Sequence, residues 1–364
     1  MPIELNSSQN SGTKTIVYGV FKGMGDLLCA APVVRFELDQ GQTVKLLLFP
    51  GATLSNFVEL IDFGPNRHNL HLYQLPLSGG PARFLAFLRQ MASFPADLVW
   101  ISPHASRKAS SWKIPLLLWS VKTLFWRRAM MAGASDERLS SLFDLRVPVD
   151  RCLPLAKREW TAYSQLNSGM PRNFPGFTTF IEKIQPQQGS SPLYDLLIAP
   201  SANARNRVWP LENYTSLVML IPSNYKIAVV GLPNDIEKLQ KILPKNRHIQ
   251  FVSGTLEDAV RAIANTRVVL SMDSGNMHFA NALHLPGIAL FGKADPKSII
   301  PLDGSMHAFY EKKFPCQPCE SAGCSQPEVY CMNSIFPEEV AKSLTRLLKK
   351  TPVDIGVPEI SAGS

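Results

Sequence analysis

Apolar runs of strand length alternate with helical segments along most of this chain, and each run ends in a glycine-bearing or polar loop. No other feature constrains the fold as strongly. Strands separated by helix-length crossovers pair in parallel, and a parallel sheet has to be covered on both faces. In the first region strands are expected over residues 15–21, 43–49 and 97–101. A helix follows the Gly23–Asp26 turn towards Leu38, with a kink or restart at Pro32. In the second region strands are expected over 194–199, 226–230, 248–252, 267–272 and 287–291, with helices over 256–265 and 337–348. Between Asn167 and Pro192 the pattern gives way to proline and glycine. The expectation is therefore an α/β chain with two doubly wound, Rossmann-like domains, residues 13–178 and 193–350, joined by a linker at 179–192 and facing a central cleft. Ligands of such sheets bind beyond the carboxyl ends of the strands, so chemistry is sought in the loops that follow them.

The chain has 364 residues, enough for two domains with separate cores. Its 45% hydrophobic and 18% charged residues exclude disorder and a disulfide-stapled miniature fold. A formal charge of +8 favours polyanionic neighbours: nucleic acid, an anionic membrane or a phosphorylated substrate. The basic residues are dispersed and no nucleic-acid module is recognisable, which argues against the first. Residues 1–15 lack a secretory signal, and no run reaches the roughly 18 apolar residues of a spanning helix. The expected location is the cytoplasm.

Three loops carry the candidate chemistry. After the strand at 267–272 comes Asp273-Ser274-Gly275-Asn276 and then a helix bearing His278. Gly275 permits close backbone approach, and the helix N-terminus offers N–H groups to a pyrophosphate. Taken alone, this turn reads first as a helix cap. After the strand at 194–199 comes Pro200-Ser201-Ala202-Asn203, then Arg205-Asn206-Arg207-Val208-Trp209-Pro210. Arg207 could grip phosphate with its guanidinium fork, or could simply be a solvated loop charge. Near the start stands Gly23-Met24-Gly25-Asp26-Leu27-Leu28, whose aspartate is either a cap or a base placed at the rim of a sheet. The strand-to-glycine loop Val230-Gly231-Leu232-Pro233 reads alone as an ordinary αβ turn.

Together these segments resemble the motifs of glycosyltransferase family 9, the heptosyltransferases. The match is densest over Asp273, Ser274, Gly275, His278, Ala280, Ala282, Leu285, Pro286, Phe291, Gly292, Asp295 and Pro296. Lys293 departs from it, standing where the family usually has a small residue or proline. The resemblance implies a GT-B fold whose second domain holds an ADP-heptose donor through Asp273, Ser274, Gly275 and His278. Ser201, Asn203, Arg207, Gly231 and Lys293, with Gly25, complete the candidate binding set. It implies that Asp26 is the general base of an inverting transfer, needing no catalytic metal, to a sugar hydroxyl of the lipopolysaccharide inner core. The setting would be the inner membrane of a Gram-negative bacterium. A relative acting on a protein or another acceptor stays open, as does a non-catalytic nucleotide-sugar or polyanion-binding protein.

Four of the six cysteines, Cys316, Cys319, Cys324 and Cys331, cluster with a Cys-x2-Cys knuckle. In a reducing compartment that spacing suggests a structural zinc or iron site. A last feature is the basic and aromatic flank around residues 114–125: Arg107, Lys108, Trp112, Lys113, Lys122, Trp126, Arg127 and Arg128. It fits either an anionic membrane contact or a core helix with solvated ends.

Overall fold

The computed structural model describes residues 13–19, 23–49, 52–76, 80–103, 113–178, 180–184, 191–300, 305–310, 314–319 and 323–350. The chain divides into two units, Met1–Thr179 with Lys297–Pro301, and Phe180–Pro296 with Leu302–Ser364.

Unit 1 runs β1 (Thr15–Gly19), α1 (Met24–Asp39), β2 (Thr43–Leu48), α2 (Ala52–Val58), β3 (Leu70–Gln74), α3 (Gly80–Ala92), β4 (Leu98–Ile101), α4 (Lys113–Phe125), β5 (Met130–Ala134), β6 (Leu145–Val147) and α5 (Leu155–Tyr163). Its six strands are all parallel, in the order β3-β2-β1-β4-β5-β6. The order reverses direction between β1 and β4, which is where a doubly wound sheet opens a crevice at its carboxyl edge. The central strands are almost wholly buried because helices cover both faces: every residue of β4 is buried, and every residue of β1 after Thr15. α1 does not restart at Pro32 but continues through it as one helix of 16 residues. Leu27, Leu28, Ala30, Ala31, Val33 and Val34 are fully buried around the proline, so packing outweighs the ladder bond that proline removes.

Unit 2 repeats the design. It runs β7 (Tyr194–Ala199), α6 (Leu211–Leu220), β8 (Ile227–Val230), α7 (Pro233–Ile242), β9 (Ile249–Val252), α8 (Leu256–Ala264), β10 (Thr266–Met272), α9 (Gly275–Ala282), β11 (Gly287–Leu290), β12 (Met306–Phe309), α10 (Tyr330–Asn333) and α11 (Pro337–Lys350). The strand order is β12-β11-β10-β7-β8-β9, again all parallel, with the reversal between β7 and β10. Local signals set the helix ends. Thr255 caps α8 in a reciprocal box, its Oγ1 accepting from the Asp258 N–H at 3.2 Å while Asp258 Oδ2 accepts from the Thr255 N–H at 2.8 Å. α11 lays Val340, Ala341, Leu344 and Leu348 against the core, and Arg267 Nη2 donates to its Leu348 carbonyl at 2.7 Å. Trp209 is wholly buried, with Nε1 donating to the Ile335 carbonyl at 3.0 Å, so it packs the core behind the Arg207 loop.

β11 opens on Gly287 because there is no room for a side chain. A Cβ there would stand 2.4 Å from the Val269 carbonyl oxygen and 2.8 Å from Met306 Sδ. The obstacle is backbone of the neighbouring strand, which cannot rotate aside. Gly287→Ala should therefore destabilise unit 2 by about 1–3 kcal/mol, the usual scale for overpacking. Denaturant unfolding would measure it, and an unchanged midpoint would refute it.

Candidate functional site

The reversal in the second sheet gathers loops that the sequence places far apart. The loop after β7 supplies Arg207, the turn after β10 supplies Asp273 and Ser274, and the loop after β11 supplies Lys293. Arg207 Nε stands 3.3 Å from Asp273 Oδ2, and its Nη1 donates to the Asp273 carbonyl at 3.4 Å. Asp273 is only 4% exposed. Burial pushes its carboxyl above the usual range, while the charges of Arg207 and then Lys293 pull it back down. Among the described residues, Arg207 Nε, Asp273 Oδ2 and Ser274 Oγ are buried without a hydrogen-bond partner. Arg207 Nε and Asp273 Oδ2 face each other as an ion pair outside hydrogen-bond geometry, at the switch point of the sheet, which is where doubly wound sheets generally bind their ligands.

α9 starts at that point. Ser274 occupies its N-cap in extended backbone, yet its hydroxyl makes no capping bond. The Ser274 side chain therefore does not supply the cap that the Asp-Ser-Gly turn suggests. One turn along, His278 is buried and its pKa is lowered to about 4, by burial and then by Arg207. Its imidazole is neutral at physiological pH and can serve as a hydrogen-bonding group without adding charge.

Ser201 and Gly231 form a neighbouring node. Ser201 Oγ accepts from the Leu232 N–H at 3.0 Å and donates to Asp235 Oδ2 at 2.6 Å, tying the β7 loop to the start of α7. A Cβ at Gly231 would come within 2.7 Å of that hydroxyl. Asn203, in the same loop as Ser201, is exposed.

In unit 1, Asp26 sits in the first turn of α1, and its Oδ2 accepts from the Gly23 N–H at 3.1 Å. It therefore caps α1, and a carboxylate has acceptor capacity beyond one such bond. Gly25 lies in the same turn. Beside them the structure reveals a group absent from the sequence expectations. Glu159, on α5, is buried at the β1–β4 reversal and accepts from Tyr18 Oη, from Trp100 Nε1 at 2.8 Å and from Ser102 Oγ at 2.6 Å. Burial raises its carboxyl, the three donors lower it, and the charge of Asp26 raises it again. The available signal was a glutamate in register with buried Ala156, Trp160 and Tyr163 on one helix face.

The four clustered cysteines are free thiols. Burial raises the Cys331 thiol, and Cys324 and Cys316 add to the effect, so these sulfurs are neighbours. Among the described residues, however, no three His, Cys, Asp or Glu side chains are assembled as a metal ligand set. The segment does brace the Lys293 loop. Gln317 Nε2 donates to the Gly292 carbonyl at 2.5 Å, and the Cys319 N–H donates to the Lys293 carbonyl at 2.7 Å.

The family model described as glycosyltransferase family 9 (heptosyltransferase) matches residues 123–330, more than half of the chain. A lipooligosaccharide heptosyltransferase 2 from Haemophilus influenzae is 36% identical over 102 residues, which is 26% of this chain and 30% of that relative's length. Among solved structures, a family 9 glycosyltransferase from Veillonella parvula superimposes with a TM-score of 0.67 at 16% identity, covering 96% of this chain and 99% of that one. An E. coli heptosyltransferase with ADP-2-deoxy-2-fluoro heptose gives a TM-score of 0.63 at 15% identity, covering 88% and 98%. These overall likenesses are likenesses of fold.

The raised carboxyl of Asp273 sets a stability prediction. Its folded pKa lies above the unfolded value, so the folded state binds more protons and stability falls as pH rises through the folded pKa. Asp273→Asn should then raise the melting temperature at neutral pH, and the gain should shrink in acid, where the native carboxyl is protonated. Thermal melts across that range check the sign, and a loss of stability at neutral pH would contradict it.

Proposed function

From the premise that this chain belongs to glycosyltransferase family 9, we propose that it transfers heptose from ADP-heptose to a sugar hydroxyl of the lipopolysaccharide inner core, with inversion. One observation carries the reading: Arg207 and Lys293 both act on Asp273 beside the N-terminus of α9, where the Ser274 side chain makes no capping bond, at the reversal of the second sheet. That is a cradle for a pyrophosphate with a sugar attached. The E. coli heptosyltransferase with an ADP-heptose analogue supports the choice of nucleotide and sugar.

In the transfer, the acceptor hydroxyl oxygen attacks the anomeric carbon and the bond from that carbon to the phosphate oxygen breaks. ADP leaves with an added negative charge, which Arg207, Lys293 and the α9 N–H groups stabilise. Here the protein's own cations take the role that a catalytic metal plays elsewhere. Neutral His278 donates a hydrogen bond to a sugar hydroxyl or accepts one from it, and the carboxylate of Asp273 accepts one. The hydroxyl proton passes to Asp26, the base at the carboxyl end of β1. Ser201 and Gly231 shape the wall on the nucleoside side, with Asn203 and Gly25 at the edges of the binding set.

Among the described residues no helix is long and apolar enough to cross a membrane. The reading places the enzyme in the cytoplasm, at the inner face of a Gram-negative inner membrane, with a glycolipid acceptor. The cysteine segment is read as a structural site for zinc or iron, supported by its thiol chemistry and by the proximity of Cys331 to Cys324 and Cys316, although the sulfurs are not preassembled.

ADP should raise the melting temperature more than UDP, GDP or dTDP, as selective binding to the folded state does. Asp26→Asn should keep that ADP response while kcat falls about 10²–10⁴-fold, the scale of a lost general base. A preference for another nucleotide, or full turnover without the carboxylate, would overturn the respective assignment. Metal analysis of protein purified under reducing conditions should find an ion bound to the cysteine segment, and folded, metal-free protein would remove that site.

A further inference from the structure

α3 and α4 lie on the same face of the first sheet. Phe87 and Met91 of α3 share one buried cluster with Ile114, Leu118 and Val121 of α4. Their outward faces are apolar too. Phe84 and Leu85 on α3, and Leu116, Trp119, Leu124 and Phe125 on α4, are all exposed, Leu85 at 54% and Leu124 at 61%. Single exposed apolar residues are ordinary, but six on two adjacent helices call for something to cover them.

The charges identify the cover. Residues 80–92 and 113–128 contain six Lys or Arg and no Asp or Glu. Lys122 is engaged with Asp144 at 2.6 Å, whereas Arg83, Arg89, Lys113, Arg127 and Arg128 are exposed. A second copy of this face would bring five cations against five, which disfavours a symmetric dimer. A soluble polyanion would answer the cations and leave the apolar residues wet. A bilayer with anionic headgroups satisfies both, since apolar side chains enter the headgroup boundary while basic residues stay at the charged surface. Trp119 suits that boundary, where indoles collect. Trp126, included in the sequence expectation, does not contribute: it is buried, and its Nε1 donates to the Met91 and Phe94 carbonyls at 3.0 and 2.9 Å. Arg107, Lys108 and Trp112 lie outside the described residues.

We propose that the outward face of α3 and α4 is a seat for an anionic phospholipid bilayer, on which the protein lies without crossing. This extends the reading of a glycolipid acceptor, and it supplies the surface from which such an acceptor is taken. Vesicle binding itself requires neither donor nor acceptor, so it can fail or succeed independently of the transfer reaction.

The test is co-sedimentation of the full chain with vesicles of phosphatidylcholine alone or mixed with phosphatidylglycerol. The protein should pellet with the mixed vesicles and be released by salt. Arg89→Gln and Arg128→Gln should each weaken partitioning about fivefold. Leu85→Gln with Leu124→Gln should also weaken it, while the melting temperature and the ADP response stay unchanged. No binding at low salt, or equal binding to both vesicle types, would overturn the proposal. So would variants that abolish self-association in sedimentation velocity while vesicle binding persists, because the face would then belong to a second copy.

Discussion

A carboxylate held almost out of water at the edge of a parallel sheet is the constraint around which unit 2 is arranged. Asp273 gains its place because Arg207 reaches across from the neighbouring crossover, yet the pair does not close into a hydrogen-bonded salt bridge. Burial still dominates the carboxyl's energetics. Such a pair adds little to stability, since the desolvation of two charges rivals their attraction. What it provides is a fixed field: two cations, a carboxylate and a helix terminus held in position before any ligand arrives. In the proposed transfer, preorganised charge of this kind would need no rearrangement as the leaving phosphate develops its own.

Much of this was legible in the sequence, for identifiable physical reasons. Strands buried on both faces are written as uninterrupted apolar runs, so β7, β10 and β11 could be read almost to the residue. The candidate-site motifs lie in the loops that follow those strands. Short or exposed strands were harder. β3, with a single buried residue, and β6, three residues long, carry no such run and were not anticipated. The outward direction of side chains was also hidden: two tryptophans seven residues apart on the α4 stretch look alike in sequence, and only Trp119 faces out.

Glu159 shows a different limit. In isolation a glutamate on a short helix suggests solvent, because charged residues are seldom fully buried. Its burial depends on Tyr18, Trp100 and Ser102, which come from two strands and a loop distant in sequence. No window along the chain contains that network. It ties α5 to the reversal of the first sheet, where Asp26 also stands, and so joins the covering layer to the edge of β1 and β4 through side chains alone.

The cysteine-bearing segment is held to the loop after β11 by two short bonds, from Gln317 to the Gly292 carbonyl and from the Cys319 N–H to the Lys293 carbonyl. Gly292 has no space to yield, since a Cβ there would meet Met332 Sδ at 2.6 Å and Cys331 Sγ at 2.9 Å. The sulfur-bearing segment and the loop that carries Lys293 are in this way packed and hydrogen-bonded as one piece, so any side chain added at Gly292 would have to displace both.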